Sequence, residues 1–136
     1  MSGKLSRSEQ REQVLQLVYE KSFHDEPVDE LLELANIARD YVPTGFVSDE
    51  ISGIENNIEK IDEEIAKNCK NWAFSRIPKV PLCIMRIAVY EIMFCDDIDT
   101  GVAINEAVEL AKKYASEDDK AYINGVLGAV SRDLQK

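Results

Sequence analysis

One histidine, His24, serves the whole chain, and its three cysteines, Cys69, Cys83 and Cys95, stand 14 and 12 positions apart with no CxxC pair. Structural zinc sites draw on closely spaced ligands and a disulfide framework on an even cysteine count, so neither is expected, and the thiols read as reduced and mostly buried. No apolar run approaches the roughly 18 residues of a membrane span. The N-terminal stretch MSGKLSRSEQREQVLQLVYE has no apolar signal-peptide core, and its apolar residues are spaced as on one helix face, which makes the cytoplasm the expected location. No run alternates apolar with polar residues, which excludes strands and with them the strand-borne glycine loops that cradle phosphates. Catalysis has little to work with. His24 lies in SFHDEP, a helix end followed by a turn, and Asp62, Glu63 and Glu64 read as the wet side of a helix. No catalytic residue, metal ligand or cofactor is expected.

What is present is the composition of a folded protein. With 136 residues, 45% apolar and 31% charged, the chain reads as one domain over 1–136, large enough to bury a core unaided. The net charge of −10 argues at first against nucleic acid, since phosphates are held by lysine and arginine. Its distribution reverses part of that argument. Residues 25–68 hold thirteen acidic and three basic side chains, whereas 1–24 hold four basic and three acidic, and 101–136 five basic and six acidic. The two ends are free to form a neutral-to-basic face.

Apolar residues recur with helical period almost throughout, which predicts an all-α bundle of six or seven helices. The first helix carries Leu5, Val14, Leu15, Leu17, Val18 and Phe23 on one face, with Ser6 or Ser8 as N-cap and Pro27 as terminator. A second runs from Val28 to Tyr41, and VPTGFVSDE reads as the loop after it. The series Ile51, Ile54, Ile58, Ile61, Ile65 is one long stripe, with a possible break marked by Asn56, Asn57 and Lys60. Pro81 suits the first turn of the most apolar helix, which carries Leu82, Ile84, Met85, Ala88, Val89, Ile92 and Met93 and should be central. CDDIDTG is a loop, with Thr100 and Asn105 as rival N-caps for a helix through Tyr114. Ser116 with Asp119 then spells a capping box for the last helix, whose buried face is Ile123, Val126, Leu127, Val130 and Leu134.

Two features suit an anionic partner. Arg7 and Arg11 lie four apart near the start of the first helix, with Lys4 beside them. Lys112, Lys113 and Lys120 bracket the last interhelical break, and Tyr122 follows within two turns. Lysines offer phosphates point charges, and a half-exposed tyrosine offers a base a stacking surface. Gly125 and Gly128 fall inside the last helix, where each costs about 1 kcal/mol against alanine, so close approach by another helix is the expected reason for them.

The segments PLCIMRIAVYEIMF and VAINEAVELAKKYASEDDKAYINGVLGAV, in that order and spacing, strongly resemble the NusB family of bacterial transcription antitermination factors. The likeness is close over 80–130 and extends in outline to the whole chain. It implies an all-helical protein of two small helical subdomains, without catalytic activity. Such a protein pairs with the ribosomal small-subunit protein that doubles as Nus factor E, binds the boxA element of ribosomal RNA leaders, and helps RNA polymerase read through terminators. The family's RNA face falls here on Arg7, Arg11, Lys112, Lys113, Lys120 and Tyr122; Lys4 accompanies the two arginines, and Asp118, in the turn that would face RNA, repels phosphates that the cations attract. Its protein-partner face falls on Arg76, which matches, and on Pro81, where the family commonly carries an acidic residue. Glu9 and Glu12 interrupt what is often an arginine run. The same fold serves as the RNA-binding domain of a ribosomal RNA cytosine methyltransferase, whose large cofactor-binding domain has no counterpart in this sequence. The runner-up reading is a helical interaction module that docks a basic partner, or a second copy of itself, through the acidic face of 25–68.

Overall fold

A computed structural model describes residues 5–25, 27–39, 44–70 and 73–136, with the backbone alone at 35–39. The described residues form seven α-helices and one 3-10 turn, and no strand. The chain divides at Asn56–Asn57 into two compact units.

The first unit holds α1 (Arg7–Lys21), α2 (Val28–Arg39) and α3 (Gly45–Asn56). Ser6 caps α1. Its hydroxyl accepts from the Glu9 backbone N–H at 3.0 Å, and the Glu9 carboxylate accepts from the Ser6 N–H at 2.8 Å. Glu9 therefore has a structural task, satisfying one of the free N–H groups at the helix start. Pro27 does not close α1, which ends six residues earlier at Lys21. Its carbonyl instead accepts from Glu30 and Leu31 and opens α2, where a proline ring sits before the first required N–H. The stretch GFVSDE, expected as loop, is helical. The Thr44 hydroxyl accepts from the Val47 N–H at 3.3 Å and donates to Gln10 Oε1 at 2.8 Å, so one side chain caps α3 and ties it to α1. Val14, Leu15, Leu17, Val18, Val47, Ile51 and Ile54 are buried. Leu5 and Phe23, expected on the same face as this core, are exposed at the two ends of α1.

The second unit holds α4 (Ile58–Lys67), the 3-10 turn Phe74–Arg76, α5 (Lys79–Phe94), α6 (Thr100–Tyr114) and α7 (Glu117–Leu134). Asn57 is the break in the isoleucine stripe and the N-cap position of α4. As expected from its composition, α5 is central, packing against α4, α6 and α7. Leu82, Ile84, Met85, Ala88, Val89 and Ile92 are all buried, whereas Met93 is half-buried. Neither expected residue caps α6. Asp99 does, its carboxylate accepting from the Gly101 N–H at 3.0 Å, and Thr100 becomes the first helical residue. The Ser116–Asp119 capping box of α7 is present in both directions. No helix of the described residues is long and apolar enough to cross a membrane.

The reading of Asp62, Glu63 and Glu64 as a solvated face holds only for Glu63, which is exposed. Asp62 accepts two hydrogen bonds from Arg86 of α5, at 2.8 and 2.9 Å. Glu64 is buried beside Lys67 and Asp133, and Lys67 reaches the two carboxylates at 3.4 and 3.1 Å, bridging α4 to α7. Burial, then a hydrogen bond with Asp133, holds Glu64 protonated to higher pH than an ordinary carboxyl. The same hydrogen bond, followed by Lys67, holds Asp133 ionised to lower pH.

Candidate nucleic-acid interface

In the first unit the two arginines part company. Arg7 lies exposed in the first turn of α1, its guanidinium carbon 4.1 Å from the centre of the Phe46 ring. Arg11 also lies near that ring, its guanidinium carbon 5.4 Å from the ring centre, and is only 4% exposed. The expectation of two open cations four residues apart therefore does not hold. Positions 11, 14, 15 and 18 are spaced i, i+3, i+4, i+7, and this is the stripe through which α1 packs, so Arg11 is drawn into the core with Val14, Leu15 and Val18. Arg7 lies one turn nearer the helix end and keeps its outer face in solvent. Lys4 lies outside the described residues.

In the second unit the turn between α6 and α7 is built as expected, but it does not gather its charges into one platform. Lys112 and Lys113 are exposed in the last turn of α6, where cations meet the negative end of the helix dipole. Lys112 is held by Glu109 at 2.9 Å, and the Lys113 ammonium lies 5.7 Å from the Tyr114 ring centre. Lys120 pairs with Glu117 at 2.9 Å and lines a groove of about 460 Å3 between α6 and α7, together with Gly101, Asn105 and Asn124. Asp118 is exposed in the first turn of α7. Tyr122, two residues on from Lys120, points into a different groove. Its neighbours there are Asn68, Lys70, Gly125, Ala129 and Arg132. Two residues along a helix is about 200° of rotation, which is why Lys120 and Tyr122 cannot share a wall.

The Tyr122 ring is half-buried, with its phenolic oxygen buried. Burial, and after it the neighbouring Cys69 thiol, push the phenol well above the usual tyrosine range. The glycines of α7 are not packing contacts. A Cβ added at Gly125 would meet nothing within 4 Å beyond its own helix backbone, and one at Gly128 would meet the Arg132 guanidinium at 3.5 Å. Of the residues expected to face a protein partner, Arg76 is exposed in the 3-10 turn, and Pro81 is buried in the first turn of α5. Lys70, Arg132 and Phe46 went unnoticed in the sequence. The helical spacing of Tyr122, Gly125, Ala129 and Arg132 was a usable signal for the second. Nothing local pointed to the other two.

The family model described as the NusB family matches residues 8–132. The transcription antitermination protein NusB of Natranaerobius thermophilus is 42% identical over 137 residues, covering 97% of this chain and 99% of its own. Among solved structures, NusB of T. maritima superposes with a TM-score of 0.82 at 29% identity, over 96% of this chain and 94% of that one. A crystal structure of antitermination factors NusB and NusE in complex with dsRNA shares the fold, with a TM-score of 0.82 at 24% identity, over 93% of this chain and 96% of that one.

Proposed function

The chain belongs to the NusB family, and from that premise we propose that it is a transcription antitermination factor that binds boxA RNA of ribosomal RNA leaders together with the ribosomal small-subunit protein known as Nus factor E. It would do so in the cytoplasm, as a component of the RNA polymerase antitermination complex and without a catalytic step. The observation that carries this reading is near full-length likeness to proteins named for transcription antitermination.

Electrostatics supports the need for a partner. The protein carries ten net negative charges, and several of its candidate cations are engaged: Arg11 is buried, and Lys112 and Lys120 hold carboxylates. A strand of RNA therefore meets sparse, scattered positive charge, and affinity for the isolated protein is low. A basic ribosomal protein extends the positive surface along the RNA, and the acid of 25–68 offers such a protein an attractive field. Arg7 and Lys113 are the exposed cations proposed to meet phosphates, and Arg76 is the residue proposed to meet the partner.

Fluorescence anisotropy with labelled boxA RNA and a scrambled RNA of equal length tests the proposal, with and without the ribosomal protein. The expected result is weak binding alone and substantially tighter, boxA-selective binding with the partner, falling steeply with salt. Equal affinity for the two RNAs together with no effect of the partner would overturn it.

A further inference from the structure

Ile104, Asn105 and Val108 of α6 line one wall of the groove of about 460 Å3 between α6 and α7, and Lys120, Ala121 and Asn124 of α7 line the other. A helix brings residues three and four apart onto one face, which is why each set shares a wall. We propose that this groove docks a short extended segment of an acidic protein partner, with Asn105 and Asn124 bonding the segment's backbone amides, Ile104, Val108 and Ala121 meeting an apolar side chain, and Lys120 meeting a carboxylate. Such a partner is chemically distinct from both RNA and a basic ribosomal protein.

The two asparagines point to a peptide backbone. Asn105 lies a full turn inside α6 and Asn124 in the middle of α7, so neither caps a helix end. Asparagine inside a helix costs stability against alanine, because its amide competes with the backbone for hydrogen bonds. Both residues are exposed, and among the described residues neither side-chain amide has a hydrogen-bond partner. Such an amide offers an acceptor and two donors, the complement of the C=O and N–H of a peptide group. One from each wall suits a chain laid between the helices, whose own backbone groups need partners once water is excluded.

Charge and surface chemistry decide the kind of chain. The sequence has 26 acidic residues, yet among the described residues none lines the groove, and Lys120 is its one charged lining group. Lys120 is held at 2.9 Å by Glu117, whose side chain is 84% exposed, a one-turn surface pair that an incoming carboxylate displaces at little cost. A basic segment would find no counter-charge here. RNA is disfavoured too, because no aromatic ring lines the groove to stack a base, and a single lysine cannot follow a run of phosphates. Ile104 and Val108 are half-buried and Ala121 is exposed, so apolar surface stays in contact with water until another side chain covers it. At about 460 Å3 the space falls within the roughly 300–1,000 Å3 of ordinary ligand pockets, room for a few extended residues.

The test is an NMR titration of the full chain that follows the side-chain NH2 signals of Asn105 and Asn124. The probe is an equimolar mixture of capped hexapeptides that fix one glutamate and vary leucine, valine, alanine and serine around it. Both signals should move, and matched peptides with glutamine or lysine in place of the glutamate should bind about threefold more weakly or worse. N105A/N124A should bind the glutamate peptides about tenfold more weakly while melting at or above the temperature of the unaltered chain, since alanine favours the helix. Should that variant melt lower, Ala121→Glu decides, because it sets a carboxylate in the groove at an exposed position and should abolish binding. Unmoved signals, or equal affinity for the glutamate, glutamine and lysine peptides, would overturn the proposal. Movement of the same signals by oligouridine and not by the peptides would assign the groove to RNA, and movement with protein concentration alone would assign it to a second copy of the chain; either result overturns the proposal.

Discussion

Arg86 of α5 grips Asp62 of α4 through two parallel hydrogen bonds, Nε to Oδ1 at 2.8 Å and a terminal nitrogen to Oδ2 at 2.9 Å, with only 13% and 25% of the side chains exposed. A bidentate, largely covered pair of this kind is stronger than a surface ion pair and sets the register of the two helices. Arg86→Ala should cost about 1.5–3 kcal/mol in urea unfolding. Arg86→Lys should recover little, because an ammonium cannot reproduce the fork. A double-mutant cycle with Asp62→Ala that returned no coupling would show the pair to be ornamental.

Arg7 and Arg11 both approach the Phe46 ring, but their substitutions should report on different properties. Arg11→Ala removes a buried side chain from the packed stripe of α1 and should destabilise the protein by about 1–3 kcal/mol. Arg7→Ala removes an exposed charge stacked on Phe46 and should cost less than about 1 kcal/mol, yet weaken RNA binding and flatten its salt dependence. Thermal melts and anisotropy on the two variants separate the cases. Equal stability loss in both would contradict the burial difference.

Met85 is fully buried in the central helix of the second unit. Met85→Ala should cost about 2–5 kcal/mol, the spread reflecting how far the site can collapse around the cavity. Met93→Ala, at a half-buried position of the same helix, should cost distinctly less. Chemical denaturation of both variants checks the order, and a reversal would mean that α5 presents another face to the core.

The carboxyl pair Glu64 and Asp133 should leave a signature in the pH dependence of stability. Glu64 has its folded value raised above the ordinary 4.5, so the folded state binds the extra proton and this group's contribution declines as pH rises from there through the folded value. Asp133 has its folded value lowered from 3.8, so its contribution is present above that pH and is lost as pH falls below it. Glu64→Gln keeps a neutral donor for Asp133 and an acceptor for Asn68, and it should remove the decline above about pH 4.5 without unfolding the protein. Melting temperatures measured between pH 3 and 8 on both proteins provide the check; an unchanged decline in the variant would exclude Glu64 as its source.

Features of the fold that depend on neighbours along the chain were legible in the sequence, because a helix makes residues three and four apart meet whatever surrounds it. The Ser116–Asp119 capping box and the apolar face of α5 are of this kind, whereas the break in the isoleucine stripe was left open among Asn56, Asn57 and Lys60 and the structure places it at Asn57. The end of α1 and the cap of α6 were misjudged where local candidates competed. Pro27 can end one helix or begin the next, and Asp99, beside Thr100, is the residue whose carboxylate accepts from the Gly101 N–H two positions on and caps α6.

The candidate site was legible in its residue types and much less in its arrangement. Sequence alone determined that the protein is all-helical, that its acid is concentrated in 25–68, that Arg7, Lys113 and Tyr122 are available chemistry, and that the chain resembles the NusB family. Only the tertiary structure decided that Arg11 is covered, that Glu64 is buried against α7, that Lys120 and Tyr122 serve different grooves, and that Lys70 joins Arg132 across one of them. The reason is that a helical period says which residues share a face, whereas the burial of that face and the distant charge set opposite it are fixed by which helices pack together, through contacts between residues far apart in the chain.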